Sequence, residues 1–417
     1  MGLKSFLKRL GPGFITGAAD DDPSGIATYS QTGAQFGYGQ LWTALFSFPF
    51  MVAIQEMCGR IGMVTGNGLS GVIKKNYPRV ILGIAVFLLL AANTINIGAD
   101  LGAMASATQL IFGLPFVFWL IGLTVFTLLL EVFISYPKYA RFLKYLTLSL
   151  FAYVIVALLI KQDWKLIALS TLIPSFSWNK EYILNVVAIL GTTISPYLFF
   201  WQADEEVEEE IEGRKIMEMG VDRPRVNRQE LKRMRLDTFV GMFFSNLVMF
   251  FIIVTAASTL ATHGIVQIDT ATQAAEALRP LAGNFTFLVF ALGMLGTGLL
   301  AVPILAGSAS YAVAEAAGWR AGLSRKLKDA RGFYGIIILA TLIGLIVNFL
   351  HVPPFKMLYY TAILNGLAAP PLLLLILLIS NNKKIMGKHT NGAWSNVFGI
   401  AIILIMTVAG AVLLFWH

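Results

Sequence analysis

Long apolar stretches recur along the whole chain, and each is close to the length that a helix needs to cross a bilayer. Such a helix requires about 20 mostly apolar residues. Reading along the sequence gives eleven of these stretches, at about 14–36, 41–65, 80–111, 116–136, 142–160, 182–203, 237–260, 284–314, 333–350, 357–380 and 395–416. Only 13% of the 417 residues are charged, which is too few for a soluble protein. The sequence therefore predicts an all-α polytopic membrane protein with one transmembrane domain over 1–417.

The positions of the basic residues predict how these spans are oriented. With the N-terminus in the cytoplasm, inner segments hold 25 of the 31 Lys and Arg residues and outer loops hold five. An excess on the cytoplasmic side is typical of membrane proteins. The net charge of +8 then reflects topology, and we expect no nucleic-acid partner. The short loops favour a prokaryotic inner membrane, and we expect the lipid bilayer to surround a monomer.

Two spans carry helix-breaking residues at matching places, five spans apart. Residues 20–25 of span one read Asp-Asp-Asp-Pro-Ser-Gly, and residues 191–196 of span six read Gly-Thr-Thr-Ile-Ser-Pro. Proline removes a backbone donor and glycine weakens a helix, so both helices should open there. Open backbone at membrane depth is tolerated inside protein or beside a polar cavity. One alternative is a simple proline kink in each span.

Paired breaks of this kind are typical of an inverted five-plus-five repeat, in which the two openings face each other at the midplane. We therefore predict a first repeat over about 14–160 and a second over about 182–380. An extra helix follows at about 395–416.

Three adjacent acids at the first break, Asp20, Asp21 and Asp22, are the strongest functional candidates. A carboxylate within hydrocarbon is costly and functional by default. We expect Asp22 to point at a cavity where freed carbonyls share a cation with it. Adjacent helix positions differ by about 100°, so one of the other acids should line the approach. No base, nucleophile or phosphate-binding loop accompanies the acids, so we do not expect an enzyme or a cofactor.

The other polar residues near the breaks are oxygen donors. Thr192 and Ser195 lie at the second break, and Asn365 in span ten is a further candidate ligand. Oxygen donors suit hard cations such as Mg²⁺, Ca²⁺ or Mn²⁺. In span three, Asn93 and Asn96 form either a polar strip or bonds between helices, and we favour the bonds.

The inner loop 204–236 begins with six acids within its first seven residues and ends in a basic cluster. The favoured interpretation is a solvated helical extension whose opposite charges pair across turns. The alternative is an acidic mouth that concentrates cations at the inner side. Near the inner end of span two, Glu56 should pair with Arg60, one turn away.

Several motifs resemble the NRAMP family of divalent-metal transporters. Gly-Pro-Gly-Phe at 11–14 and Asp-Pro-Ser-Gly-Ile-Ala-Thr at 22–28 are similar to its opening helix, whose hallmark is Asp-Pro-Gly-Asn. Further matches are Phe-Gly-Tyr at 36–38, Arg-Ile-Gly at 60–62, Val-Thr-Gly at 64–66, Asp-Leu at 100–101 and Phe-Gly-Leu-Pro at 112–115. The resemblance spans the chain. It implies a LeuT-like fold, a divalent metal ion held between helices one and six, and alternating access.

The departures from the family pattern concern the metal ligands. The family's Asn ligand falls on Gly25, and its helix-six Met-Pro-His falls on Ser195, Pro196 and Tyr197. A thioether favours soft transition ions, so its loss should relax or reverse that preference. The sequence thereby resembles the divergent branch of NRAMP-related magnesium transporters. Gly25 and Ser195 would leave room for an ion that keeps several waters, with Tyr197 beside it.

Residues that the family links to proton movement are also replaced. Asp100 matches the first of two helix-three acids, but Ala103 stands where the second would be. Tyr197 and Gln202 occupy the positions of two histidines, and neither titrates usefully near neutral pH. We therefore predict transport driven by membrane potential without a co-transported proton.

The resulting functional hypothesis is a secondary transporter of Mg²⁺ and Mn²⁺ that works by alternating access. The nearest alternative is a proton-coupled Mn²⁺ and Fe²⁺ importer of the standard NRAMP type. A LeuT-fold carrier of a small organic solute is a third possibility, and a non-transporting membrane protein is a fourth.

Overall fold

The structure, a computed structural model, describes residues 11–134, 147–350 and 352–415, and every regular element within these ranges is helical. The helices are α1 Pro12–Asp20, α2 Pro23–Phe36, α3 Trp42–Thr65, α4 Leu69–Asn76, α5 Arg79–Phe112, α6 Phe116–Phe133, α7 Phe151–Leu159, α8 Trp164–Leu172, α9 Lys180–Thr193, α10 Pro196–Glu212, α11 Arg228–Thr259, α12 Ala271–Ala275, α13 Arg279–Ala282, α14 Thr286–Ala317, α15 Arg331–Val347, α16 Pro354–Asn381, α17 Lys383–Met386 and α18 Ala393–Phe415.

Eight segments of the described chain are long and apolar enough to cross a membrane, and they match eight of the eleven predicted spans. The other three predicted spans remain predictions. The first is divided into α1 and α2, and the second is the 24-residue helix α3. The fifth, at 142–160, begins outside the described residues and contains α7.

Both predicted helix breaks are present, and each second half begins with proline. Helix α1 ends at Asp20 and α2 begins at Pro23, while α9 ends at Thr193 and α10 begins at Pro196. Proline suits the first position of a helix because the N–H that it lacks has no intrahelical partner there. Beyond the predicted span six, which ends at 203, α10 continues as a helix to Glu212, in agreement with the helical extension predicted for the start of the inner loop.

One long helix, α11, packs along both halves of the first broken helix. A Cβ on Gly13 would lie 2.6 Å from the Thr238 nitrogen, and one on Gly17 would overlap the Gly241 carbonyl. In α2, a Cβ on Gly33 would overlap the Ile253 carbonyl oxygen. These glycines allow backbone to meet backbone, as small residues do between membrane helices.

The beginning of α1 is fastened to α11 by a carboxylate. Asp237 accepts hydrogen bonds from the Gly11 nitrogen at 2.9 Å and from the Gly13 nitrogen at 2.8 Å. The first N–H groups of a helix lack intrahelical partners and carry partial positive charge. The Asp237 carboxylate therefore both caps α1 and holds it against α11.

Candidate functional site

The Asp22 carboxylate lies between the first break and helix α5, and its side chain is fully buried. Its Oδ1 accepts from the Gly25 nitrogen at 2.8 Å and the Ser24 hydroxyl at 2.6 Å. Its Oδ2 accepts from the Asn96 side-chain nitrogen at 3.1 Å. Asp22 thus caps α2 while its second oxygen faces α5, which places a negative charge deep in the helical bundle.

The two breaks meet beside Asp22. The hydroxyl oxygens of Ser24 and Thr192 are 3.4 Å apart, and a Cβ on Gly25 would also lie 3.4 Å from Thr192 Oγ1. The Tyr197 hydroxyl donates to the Ala19 carbonyl oxygen at 3.0 Å. Of the predicted site residues, the structure therefore brings Gly25, Thr192 and Tyr197 together with the segment that contains Asp22.

Ser195 and Asn365 occupy different surroundings. The Ser195 hydroxyl is 2.7 Å from the carbonyl oxygens of both Gly191 and Thr192. It therefore supplies a donor to carbonyl groups at the C-terminal end of α9, where the helix breaks. Asn365 is buried in α16, where the next residue, Gly366, packs against the Val187 carbonyl. Within the described part of the chain, the Asn365 side-chain nitrogen has no hydrogen-bond partner.

The other two acids of the first break turn towards α11. The Ser245 hydroxyl donates to Asp20 Oδ2 and lies 3.5 Å from Asp21 Oδ1. Asp20 and Asp21 are both buried. A serine 225 residues away from Asp20 carries no sequence signal for this contact, and sequence reasoning missed it.

The asparagines of α5 have separate partners. The Asn93 side-chain nitrogen donates to the Leu305 carbonyl of α14 at 2.9 Å, which is the predicted bond between helices. Asn96 instead binds Asp22, a role that the sequence did not suggest. One turn further along α5, Asp100 is also buried, and within the described residues neither of its carboxylate oxygens has a hydrogen-bond partner.

The donor set at the breaks is limited to oxygen. Among the described residues, no three His, Cys, Asp or Glu side chains converge as metal ligands, so a cation here would rely on carboxylate, hydroxyl and carbonyl oxygens. Such donors suit hard cations. The side chains of Asp22, Thr192, Ser195 and Tyr197 are each at most 1% exposed, so the site is closed to both sides of the membrane in this structure.

An acidic cavity of about 210 Å³ lies at the start of α1, on the inner side predicted from the basic residues. Its carboxylates are Glu206, Glu209, Glu210, Glu230 and Asp237. A hydrogen-bond chain connects it with α1, because the Thr16 hydroxyl donates to Gln202 at 2.7 Å and Gln202 donates to Glu206 at 2.9 Å.

Lys215 lies at this cavity between two of its acids. Its ammonium is 2.9 Å from Glu210 and 2.8 Å from Glu230. Burial lowers the pKa of Lys215, but the hydrogen bonds to Glu230 and Glu210 outweigh that effect and raise the pKa above its ordinary value. The lysine is therefore held as a cation that partly neutralises the acidic cavity.

Four of the six acids at the start of the inner loop are buried, so the favoured interpretation was right about the helix but wrong about its solvation. Asp204, Glu206, Glu208 and Glu210 are each at most 7% exposed in helix α10. Helices α1, α3 and α14 pack against α10, which brings charged side chains into the interior. The predicted pair of Glu56 and Arg60 is confirmed at 2.9 Å.

A second cavity, of about 330 Å³, lies at the opposite end of the broken helix and includes Gln31 and Gln35 of α2. Between this cavity and the breaks, Asn185 donates to the Thr32 hydroxyl at 2.8 Å and accepts from the Tyr359 hydroxyl at 3.0 Å. These bonds join α2, α9 and α16 and help to close the side that the basic residues predict to be the outer one.

Two broken helices that meet around a buried carboxylate, with a cavity beyond each end, are the architecture of an integral membrane transporter. The sequence pattern described as natural resistance-associated macrophage protein-like matches residues 13–416. The chain belongs to this family, called Nramp.

Similar sequences and structures agree with this assignment. A divalent metal cation transporter MntH from Caldanaerobacter subterraneus subsp. tengcongensis is 25% identical over 99% of this chain and 94% of its own length. An MntH from Clostridium acetobutylicum is 25% identical over 99% of this chain and 92% of its own.

Two solved structures share the fold. A manganese transporter from Eremococcus coleocola superposes with a TM-score of 0.80 at 18% identity, covering 99% of this chain and 88% of that one. The inward-facing conformation of Mhp1 gives a TM-score of 0.57 at 13% identity, covering 98% of this chain and 89% of that one. The predicted LeuT-like fold is thereby confirmed.

Proposed function

We propose that this protein is a secondary transporter of divalent metal cations, centred on Asp22. The observation that carries the proposal is the fully buried Asp22 carboxylate at the contact between the two breaks. A buried carboxylate is unfavourable unless a positive partner compensates it. A divalent cation that replaces the bonds from Ser24 and Asn96 is such a partner. The names of the MntH relatives, divalent metal cation transporters, support the same cargo.

We infer that Asp22, Thr192 and the carbonyls freed near Gly25 and Ser195 supply the ligands, with Tyr197, Asp20, Asp21 and Asn365 around them. Rotation of Ser24 or Asn96 would free Asp22 oxygens for the ion. Alternating access would then open the inner cavity or the outer cavity in turn. Each of the two predicted repeats, about 14–160 and 182–380, would contribute one broken helix to this centre.

The proposed cargo is Mg²⁺ together with Mn²⁺. Glycine at position 25 and serine at position 195 offer no soft ligand, and the described breaks contain neither sulfur nor imidazole. Mg²⁺ is held through few carboxylates and keeps several waters, which fits a single direct acid. A standard proton-coupled importer of Mn²⁺ and Fe²⁺ remains the alternative.

We also propose that the cation moves without a proton. Ala103, Tyr197 and Gln202 stand at the positions that the resemblance links to proton movement. The Gln202 amide is instead bonded to Thr16 and Glu206. Each positive charge gains about 2.3 kcal/mol per 100 mV on moving inward. For a protein in a prokaryotic inner membrane with its N-terminus in the cytoplasm, this free energy suffices to drive uptake.

Reconstituted vesicles test the proposal. We expect Mg²⁺ and Mn²⁺ to enter vesicles that contain the protein, and Asp22→Asn to abolish both fluxes. The matched control is Asp329→Asn, which removes an exposed inner carboxylate and should leave flux unchanged. Unchanged flux in Asp22→Asn would remove Asp22 as the centre. Mn²⁺ entry that excludes Mg²⁺ and acidifies the lumen would instead establish the standard importer.

A further inference from the structure

A second pair of carboxylates meets at the cytoplasmic end of the bundle, away from the breaks. Asp204 of α10 and Glu315 of α14 approach the same face of Gly68, the residue that precedes α4. A Cβ on Gly68 would overlap Asp204 Oδ1 and would lie 2.7 Å from Glu315 Oε2. The absence of a side chain at position 68 is therefore what allows the two carboxylates to come together.

Glu315 is hydrogen-bonded to the start of α4. Its Oε1 accepts from the Gly68 nitrogen and its Oε2 from the Gly71 nitrogen, each at 2.8 Å. Hydrogen bonds from the N–H groups of a helix start favour an anion. One member of the pair is thus fixed in place by the backbone of α4.

Asp204 has no such stabilisation. Its side chain is fully buried, and within the described residues neither of its oxygens has a hydrogen-bond partner. The charged groups that act on it are Glu315, Glu205 and Glu208, all negative. By contrast, the neighbouring acid Glu208 accepts from the Tyr311 and Ser324 hydroxyls. A bare buried carboxylate beside an anion requires a positive partner.

We propose that Asp204 and Glu315 bind a second divalent cation, of the hard Mg²⁺ class. Mg²⁺ is held by one or two carboxylates while it keeps several waters. Glu315 is only partly buried, so an ion has access from the cytoplasmic side. The bound ion would join α10, α14 and the start of α4.

This site is separate from the proposed transport path. Asp204 lies nine residues beyond Ser195, which is about 13 Å along a helix. It faces α4 and α14, whereas Glu206 of the same helix lines the inner cavity. The ion at this site therefore acts on the position of α10 and is not cargo in transit.

The test counts bound Mn²⁺ by electron paramagnetic resonance in the purified full-length protein, with Mg²⁺ as competitor. Asp22→Asn removes the proposed transport site, so that variant should retain one Mn²⁺ that Mg²⁺ displaces. The double variant Asp22→Asn with Asp204→Asn should retain none. The matched control, Asp22→Asn with Glu212→Gln, changes an exposed acid of the same helix and should retain one.

An unchanged Mn²⁺ count after Asp204→Asn would overturn the proposal, because the pair would then share a proton instead of a cation. If the Asp204 variant fails to fold, Mg²⁺ must still raise the melting temperature of Asp22→Asn by several degrees, and no rise overturns the site. If the unmodified protein transports neither Mg²⁺ nor Mn²⁺ but Asp22→Asn still retains one Mn²⁺, the transport proposal fails and the second site stands.

Discussion

The Asn96 side-chain amide donates a hydrogen bond to Asp22 Oδ2 at 3.1 Å, linking the middle of α5 to the first helix break. Both residues are fully buried. Within the described chain, the Asn96 side-chain oxygen has no hydrogen-bond partner. Asn96 therefore fixes the orientation of the Asp22 carboxylate and places an additional oxygen donor near it.

Replacing Asn96 should weaken cation binding more than it weakens the fold. Asn96→Ala removes a side chain that orients Asp22 and offers an unpartnered oxygen beside it. Loss of a group that orients a metal ligand typically costs about 10–100-fold in metal affinity, so the KM for Mg²⁺ uptake should rise about tenfold or more. Asn93→Ala is the matched control, because Asn93 bonds only the Leu305 carbonyl of α14. Vesicle uptake over a range of Mg²⁺ concentrations measures both. Equal KM values for the two variants would remove Asn96 from the site.

The contact between α1 and α11 should not tolerate a methyl group. A Cβ on Gly17 would overlap the Gly241 carbonyl, so Gly17→Ala should lower the melting temperature of the purified protein by several degrees. Overpacking of a close contact costs about 1–3 kcal/mol. The control, Gly122→Ala, lies in α6 with nothing within 4 Å of the new Cβ. For Gly122→Ala we expect no fall in the melting temperature, since alanine favours a helix more than glycine does.

A thioether at the second break should change ion preference. Ser195→Met places a soft ligand where the family resemblance expects one, and we predict about a tenfold rise in Mn²⁺ over Mg²⁺ uptake. Ser195→Leu supplies similar bulk without sulfur and serves as the control. The Ser195 hydroxyl bonds its own chain, so both variants lose the same contacts. An equal ratio of Mn²⁺ to Mg²⁺ uptake in the Met and Leu variants would show that position 195 does not face the ion.

Transport should follow voltage and ignore a pH gradient. With a luminal pH dye and a Mg²⁺ dye in the same vesicles, we expect Mg²⁺ entry without acidification. An inside-negative potential of 100 mV should shift the Mg²⁺ equilibrium by about 4.6 kcal/mol, twice the value for one charge. Acidification that requires Mg²⁺ and persists at zero potential would contradict the absence of coupling.

The helix breaks were predictable because their causes are local. Pro23 and Pro196 act on the backbone directly beside them, and α2 and α10 begin at these residues. The pair of Glu56 and Arg60 was predictable for the same reason, since helix geometry alone brings residues four apart together. Eight spans followed from apolar length in the same way.

Contacts made by tertiary packing were not predictable. Asn96 is 74 residues from Asp22 in sequence, and no local pattern connects them. The acids after residue 203 have the composition of a solvated helix, yet four of the first six are buried by neighbouring helices. The unpartnered state of Asp204 depends on Gly68 and Glu315, which belong to distant parts of the chain.

The uninterrupted course of α11 limits how the protein can move. Since Gly17 and Gly33 fasten the two halves of the broken helix to the same partner, neither half can swing by itself unless α11 bends between Gly241 and Ile253. If α1, α2 and α11 tilt together as one rigid body, α11 does not need to bend. Access to the cytoplasm would then come from displacement of this rigid body against α5 and α14, and not from a hinge at the aspartates.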